Sequence, residues 1–284
     1  MRLSLSLDRE VFNSTISGYV EVSRLDCLQS NAPHHGRVRC SGIAILNAHM
    51  GFFSKRKVTF YEVEKDIDLS DGGRSPFSFS VPSVIEETNI ALPDSYFGYG
   101  IITYYEITAY CRSCFHTSKT TKVAIVKREQ NLQQKVVDTF LSKSNINDYD
   151  GLLCASSTDF VPEVHISCHL DSENLQMRDC ISGTIKVDQC NMAIKDISVG
   201  IVQNESMVIH GEKRSLQLVR DTIEIATGDC PRKKDIQFVF YPNTEGLAND
   251  YASNDMQLSF SFRVKVCFEN QFFCIKYIPI HFTW

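Results

Sequence analysis

The chain has 284 residues, 43% hydrophobic and 11% aromatic, and a net charge of −5. That length suits two domains with a core each, and the apolar fraction excludes a wholly disordered chain. The negative balance would repel a polyanion, so no nucleic-acid partner is expected.

Residues 3–22, LSLSLDREVFNSTISGYVEV, alternate apolar and polar side chains at Leu3, Leu5 and Leu7, cross a polar turn, and resume at Ile16-Ser17-Gly18 with Val20 and Val22. Period-two alternation belongs to a half-buried strand, so this stretch reads as two strands and a turn. Asp8, Arg9 and Glu10 break the run, so it does not read as a secretory signal. No stretch reaches the ~18 apolar residues of a membrane span. Strands are then expected over residues 38–50, over 58–63 (VTFYEV), and through Phe77, Phe79 and Val81 until Pro82 stops the run. A turn over residues 92–98 leads to a β-prone run at 101–110, and residues 120–126 complete a first sandwich.

Residues 129–160 differ. Leu132, Val136, Val137, Phe140 and Leu141 fall at helical spacing and predict a short helix in an otherwise polar linker. The opening pattern then returns: Val164, Ile166, Cys168 and Leu170 alternate, and Ile181-Ser182-Gly183 leads into Ile185 and Val187. Recurrence at roughly half the chain length is too long for a solenoid. It predicts an all-β protein of two tandem β-sandwiches, residues 1–128 and 161–284. Within the second, strands are expected over residues 193–203, 216–226, 236–241, 258–268 and 272–282, with loops over 205–213 and 243–255.

Enzyme motifs are scarce. No phosphate loop, HExxH or GxSxG occurs, and Gly98-Tyr99-Gly100 opens a strand and reads as a turn. Cys111-Arg112-Ser113-Cys114, with His116 close by, has metal-like spacing, but a structural zinc site takes four ligands and no second CxxC accompanies it. It reads as a hairpin turn with incidental thiols; a thiol or metal protein built on Cys111, Cys114 and His116 is the alternative. His165 and His169 share the outer face of one strand without a third ligand in view. Eleven cysteines, an odd number, predict a reducing cytosolic compartment, with no cofactor and no metal expected. The basic runs Lys55-Arg56-Lys57 and Arg232-Lys233-Lys234 border loops. They read as solvated charge or as contacts to acidic lipid headgroups, where each cation adds about 1 kcal/mol.

Three segments carry a family resemblance. They are Leu92-Pro93-Asp94-Ser95-Tyr96 running into residues 101–107, Met192-Ala193-Ile194-Lys195-Asp196-Ile197-Ser198-Val199, and Asp221-Thr222-Ile223-Glu224-Ile225-Ala226-Thr227-Gly228-Asp229. With the duplicated Ile-Ser-Gly strand they resemble the arrestin fold, and within it the small arrestin-like subunits of retromer and retriever, the retriever form being nearer. The last segment is similar to one ending Ile-x-Asp-Gly in that family, with Thr227 where aspartate is usual. The resemblance implies a non-enzymatic scaffold for endosomal retrieval of membrane proteins: a cytoplasmic protein recruited to endosomes, with peripheral membrane association only. Its C-terminal sandwich would dock onto an α-solenoid subunit, and through it reach a small phosphoesterase-like subunit. Its N-terminal sandwich would face a sorting nexin and cargo tails. Carried onto this chain, residues Ile225, Ala226, Thr227, Gly228 and Asp229 would bind the solenoid subunit, with Ile225 and Ala226 supplying apolar contacts and Gly228 and Asp229 shaping the turn. The competing reading has Ile225 pointing into its own sandwich. Two further arrestin-like alternatives are an α-arrestin adaptor, whose PPxY motif is missing here, and a subunit of a Golgi exchange-factor complex.

Overall fold

The computed structural model describes residues 2–23, 35–47, 55–69, 74–86, 88–112, 117–130, 132–143, 151–152 and 162–284, and every regular element in them is a strand. The alternating opening forms β1 (Arg2–Leu7), β2 (Val11–Phe12) and β3 (Thr15–Ser23). With β4 (His35–Asn47), β5 (Lys55–Asp68), β6 (Arg74–Ser80), β7 (Val84–Ile85), β8 (Ile90–Ala91), β9 (Tyr96–Phe97), β10 (Ile101–Arg112) and β11 (Thr117–Val126) it builds the first half. A sheet β1-β3-β6 covers a larger one, β2-β11-β10-β4-β5, with β9 added to β10. Ile16, Val20 and Phe79 from the first meet Val38, Tyr105, Ile107 and Val126 from the second in one buried cluster. Alternation thus does what a sandwich requires, sending every second side chain into the space between the sheets.

The second half contains β12 (Val137–Lys143), β13 (Gly151–Leu152), β14 (Val164–Leu170), β15 (Asn174–Gln176), β16 (Ile181–Cys190), β17 (Ile194–Ile209), β18 (Glu212–Thr227), β19 (Asp235–Phe240), β20 (Tyr251–Ala252), β21 (Met256–Phe268) and β22 (Phe272–Thr283). Its two sheets run β12-β14-β16-β19 and β13-β22-β21-β17-β18, with β15 on β22 and β20 on β21. The protein is therefore all-β, with two tandem sandwiches.

The duplicated motif has the same geometry in both. Gly18 stands opposite Leu7 and Phe77, and Gly183 opposite Leu170 and Phe238. A Cβ on Gly18 would lie 2.2 Å from the Ser6 carbonyl oxygen, and one on Gly183 would lie 2.1 Å from that of His169. Only glycine lets these strands approach so closely. Ser17 Oγ donates to the Asp8 carboxylate at 2.6 Å and Ser182 Oγ to Asp171, closing the same turn twice. Gly183→Ala is expected to cost about 1–3 kcal/mol because a backbone carbonyl must move. An unchanged thermal midpoint would show that the strand pair yields freely.

Three expectations are corrected. The predicted helix is β12, an edge strand paired with β14, in which Leu141 is buried and Phe140 is exposed. Val137, Thr139 and Leu141 also satisfy period two, and an open sheet edge decides between the periods. β12 belongs to the second sandwich, which so recruits strand from the expected linker. The expected loop at 205–213 is the continuation of β17 and β18 through a tight turn at His210-Gly211. The stretch 243–255 is not open: Leu247, Ala248 and Asn249 are buried, and β20 pairs with β21.

Candidate functional site

At one end of the second sandwich, β18 meets the loop that follows it. Pairing with β17 skips one residue between Ala226 and Glu224, so Ile225 occupies a β-bulge in an edge strand. Ile225 and its neighbour Ala226 are both half-buried and pack on their own core. The competing sequence reading of Ile225 thus describes its side chain, while Thr227 and Asp229 are the exposed residues within 225–229. Gly228 turns the chain with φ 81° and donates to the Lys195 carbonyl at 2.7 Å. Asp229 accepts from Ile194 N at 3.1 Å and from Arg232 Nη1 at 2.9 Å. The Ile194 amide and the Arg232 guanidinium hold its carboxyl below the usual carboxylate range. Arg232 also donates to the carbonyls of Met192 at 3.1 Å and Cys190 at 3.4 Å, and to that of Cys230. The loop is a rigid cap.

The remaining candidates separate. Arg232 is engaged in this cap, leaving Lys233 and Lys234 exposed. Lys55, Arg56 and Lys57 open β5: Arg56 bonds Asp255 at 2.8 Å and the Val208 carbonyl at 2.9 Å, with Lys55 and Lys57 exposed on either side. Cys111 is buried in β10, and burial raises its thiol pKa; Cys114 and His116 lie outside the described residues. Burial also pushes the Cys40 and Cys168 thiols up to about 12, so both stay protonated and unreactive at neutral pH. His165 and His169 do share a face, where His169 contacts Asp138 at 2.7 Å. Among the described residues, no group of three or more His, Cys, Asp or Glu side chains is placed to hold a metal ion.

The most organised polar chemistry lies between the sandwiches. Glu205, fully buried on β17, reaches the turn Gly98-Tyr99-Gly100 of the first sandwich. Its carboxylate accepts from Tyr96 Oη at 2.6 Å, Tyr99 N at 3.2 Å, Gly100 N at 2.6 Å, Ile101 N at 2.9 Å and Gln203 Nε2 at 2.5 Å. Consecutive backbone N–H groups converging on one anion form a nest. Cβ atoms would lie 2.2 Å from Glu205 Oε1 at Gly98 and 2.9 Å from Oε2 at Gly100, so both glycines are needed for this approach. Burial, and then the Glu205 carboxylate, hold the Tyr96 hydroxyl far above the ordinary phenol value, keeping it a donor. Ala44, Leu46, Tyr96 and Ile101 join the core of the second sandwich around this clamp.

A second junction surrounds Arg128. Its Nη1 donates to Asp94 at 2.7 Å, and Asn249 of the second sandwich donates to Asp94 at 2.9 Å and to the Arg128 carbonyl at 3.0 Å. Arg128 Nη2 reaches Tyr105 Oη at 3.2 Å. Beside it, Asp250 pairs with His281, and burial lifts its carboxyl to about 6 despite that contact. A raised carboxyl pKa means that the folded state binds more protons than the unfolded state. This group's contribution should therefore fall as pH rises from about 4, the unfolded value, to about 6. Stability measured by urea unfolding across that window should lose this downward slope in Asp250→Asn; an unaltered slope assigns it elsewhere.

Of these junction residues, Asp94, Tyr96 and the Gly98-Tyr99-Gly100 turn stand out in the sequence for other reasons, whereas Glu205, Arg128, Asn249 and Asp250 do not. The signal available was the inward row Ile201, Gln203, Glu205, Met207 and Ile209, which keeps period two through two polar positions. Neither a model of a known protein family nor a curated protein matches the chain.

Proposed function

We propose that this chain is a non-enzymatic scaffold subunit of an endosomal cargo-retrieval complex of retromer or retriever type, docking through the tip of its C-terminal sandwich onto an α-solenoid subunit. The observation that carries the reading is the capped, bulged end of edge strand β18, where Gly228, Asp229 and Arg232 fix a rigid apex. Rigid apices lose little entropy on docking. The two tandem sandwiches agree with the arrestin-like resemblance, and the junction at Glu205 and Arg128 would hold the apex at a set distance from the opposite end. Among the described residues no helix is long and apolar enough to cross a membrane, which accords with recruitment by partners.

Thr227→Arg tests the reading, since Thr227 is exposed while Ile225 is packed on the core. Affinity purification of the wild-type chain from its own cytosol should bring down a helical-repeat protein and a small phosphoesterase-like protein, and Thr227→Arg should lose both with its thermal midpoint unchanged. Retention of both by the variant would place docking elsewhere. Ubiquitin ligases or exchange factors in their place would move the chain to another arrestin-like family.

A further inference from the structure

The larger sheet of the first sandwich ends on β5, a strand of 14 residues that pairs with β4 along one side and, among the described residues, with no strand along the other. A free edge of that length is a template for another chain unless something blunts it. The neighbouring edge, β6, is blunted by β5 itself: Tyr61 Oη donates to the Ser80 carbonyl at 2.9 Å, and Lys65 Nζ to that of Ser78. What guards β5 is charge, and that charge is sorted by sign.

Pairing with β4 turns Lys55, Lys57 and Thr59 to the outer face, and a bulge at Phe60 passes that face on to Glu62, Glu64, Asp66 and Asp68. All seven are exposed. The outer row is therefore basic at its start and acidic at its end. Two arginines of β4 answer part of the acid: Arg37 lies 3.4 Å from Glu64 and 3.0 Å from Asp66, and Arg39 lies 3.5 Å from Glu62 and 3.3 Å from Glu64. Two guanidiniums against four carboxylates leave two negative charges over. Lys55 and Lys57, two positive charges, make no ion pair among the described residues.

That row selects its partner. A neutral strand would leave both ends unmatched, and a parallel copy would set lysine on lysine and carboxylate on carboxylate. An acidic lipid surface would attract the lysines and repel the carboxylates beside them. An antiparallel copy of β5 matches both ends at once. We propose that the free edge of β5 pairs antiparallel with β5 of a second copy of this chain, about a two-fold axis at Phe60-Tyr61, with Lys55 opposite Asp66 of the partner subunit and Lys57 opposite Glu64 of the partner subunit. Val58 then meets Val63 of the partner subunit. Arg56 also falls opposite Lys65 of the partner subunit, but the Arg56 head is turned to Asp255 and the Lys65 head to Ser78. Such a contact is the same on both copies and closes at two. The edge belongs to the first sandwich and the docking tip to the second, so each can fail without the other.

Sedimentation of the full chain over a range of micromolar concentrations tests the pairing. The wild type should reach a dimer whose dissociation constant rises at least tenfold between about 50 mM and about 500 mM sodium chloride, because exposed cross-strand charges are screened. Lys55→Glu with Lys57→Glu should be a monomer with an unchanged thermal midpoint, since neither lysine has a partner within its own chain to lose. Glu64→Lys with Asp66→Lys, folded by circular dichroism, should also be a monomer. Mixed, the two variants should form a one-to-one dimer, because one carries acid along the whole outer row and the other carries base at both ends. A wild type that stays monomeric throughout, a dimer that salt or the lysine variant leaves intact, growth beyond two copies, or folded variants that stay apart when mixed would each overturn the proposal.

Discussion

Replacing Glu205 with glutamine is expected to lower stability by about 3 kcal/mol although the side chain keeps its size. The carboxylate offers two acceptor oxygens and uses both: Tyr96 Oη and Tyr99 N approach one, and Gly100 N and Ile101 N the other. An amide has one acceptor oxygen, and its nitrogen carries hydrogens. Whichever way it turns, that NH₂ faces at least two donors that now lack an acceptor. Each buried donor left unmet costs about 1–3 kcal/mol, which the surrounding structure recovers only by moving. Glu205→Leu removes every acceptor and should cost more, about 5 kcal/mol, at the upper end of what single substitutions do. Urea unfolding measures the loss as a lower midpoint at constant slope. Hydrogen exchange locates it, because the Gly100 and Ile101 amides should lose protection before those of β10 beyond them. A loss below 1 kcal/mol in Glu205→Gln, with both amides still protected, would mean that the apolar contact around Tyr96 holds the sandwiches together without the clamp.

That clamp also marks where the sequence stops being informative. Strands were legible because sandwich cores impose period two, and the duplication was legible because Ile-Ser-Gly solves the same close-approach problem at Gly18 and at Gly183. Glu205 follows the period but carries the wrong polarity for an inward position, and the stretch around it reads as a loop. A period describes which face a side chain takes; it does not say that the facing surface is another domain's backbone. Gly98-Tyr99-Gly100 reads as a turn, and it is one. Its second role, clearing space for a carboxylate, depends on a residue more than a hundred positions away. The helix expected near Phe140 fails for a related reason. Helical and strand periods overlap over five or six residues, and the choice is made by β14, whose edge needs a partner. At the end of β18, Ile223 and Ile225 keep period two and so face their own core, whereas the bulge that brings Ala226 to the same side has no sequence signature.

The other large effect is expected at Arg128. Arg128→Met should cost about 3–5 kcal/mol, because Asp94 keeps its charge in a buried site without its cation. The geometry leaves little room for water to substitute: the two side chains are only 6% and 3% exposed. The backbone carbonyls of Leu92 and Pro93, each 3.2 Å from Nη1, lose a donor as well. Removing both charges is a different experiment. In Asp94→Asn with Arg128→Met no ion remains to be desolvated, and Asn249 still has a side-chain acceptor at residue 94. The double variant should therefore be less destabilised than the sum of the singles, by about 2 kcal/mol or more, as coupled neighbours commonly are. Protonation supplies an internal control. Burial already raises the Asp94 carboxyl even with Arg128 beside it, and losing the guanidinium raises it further. A carboxyl with a raised folded-state pKa stabilises the fold less as pH increases, so the deficit of Arg128→Met should be smallest in acid and grow toward neutrality. A deficit that is constant across pH, with strictly additive single variants, would assign the loss to the packing of the arginine stem rather than to its charge.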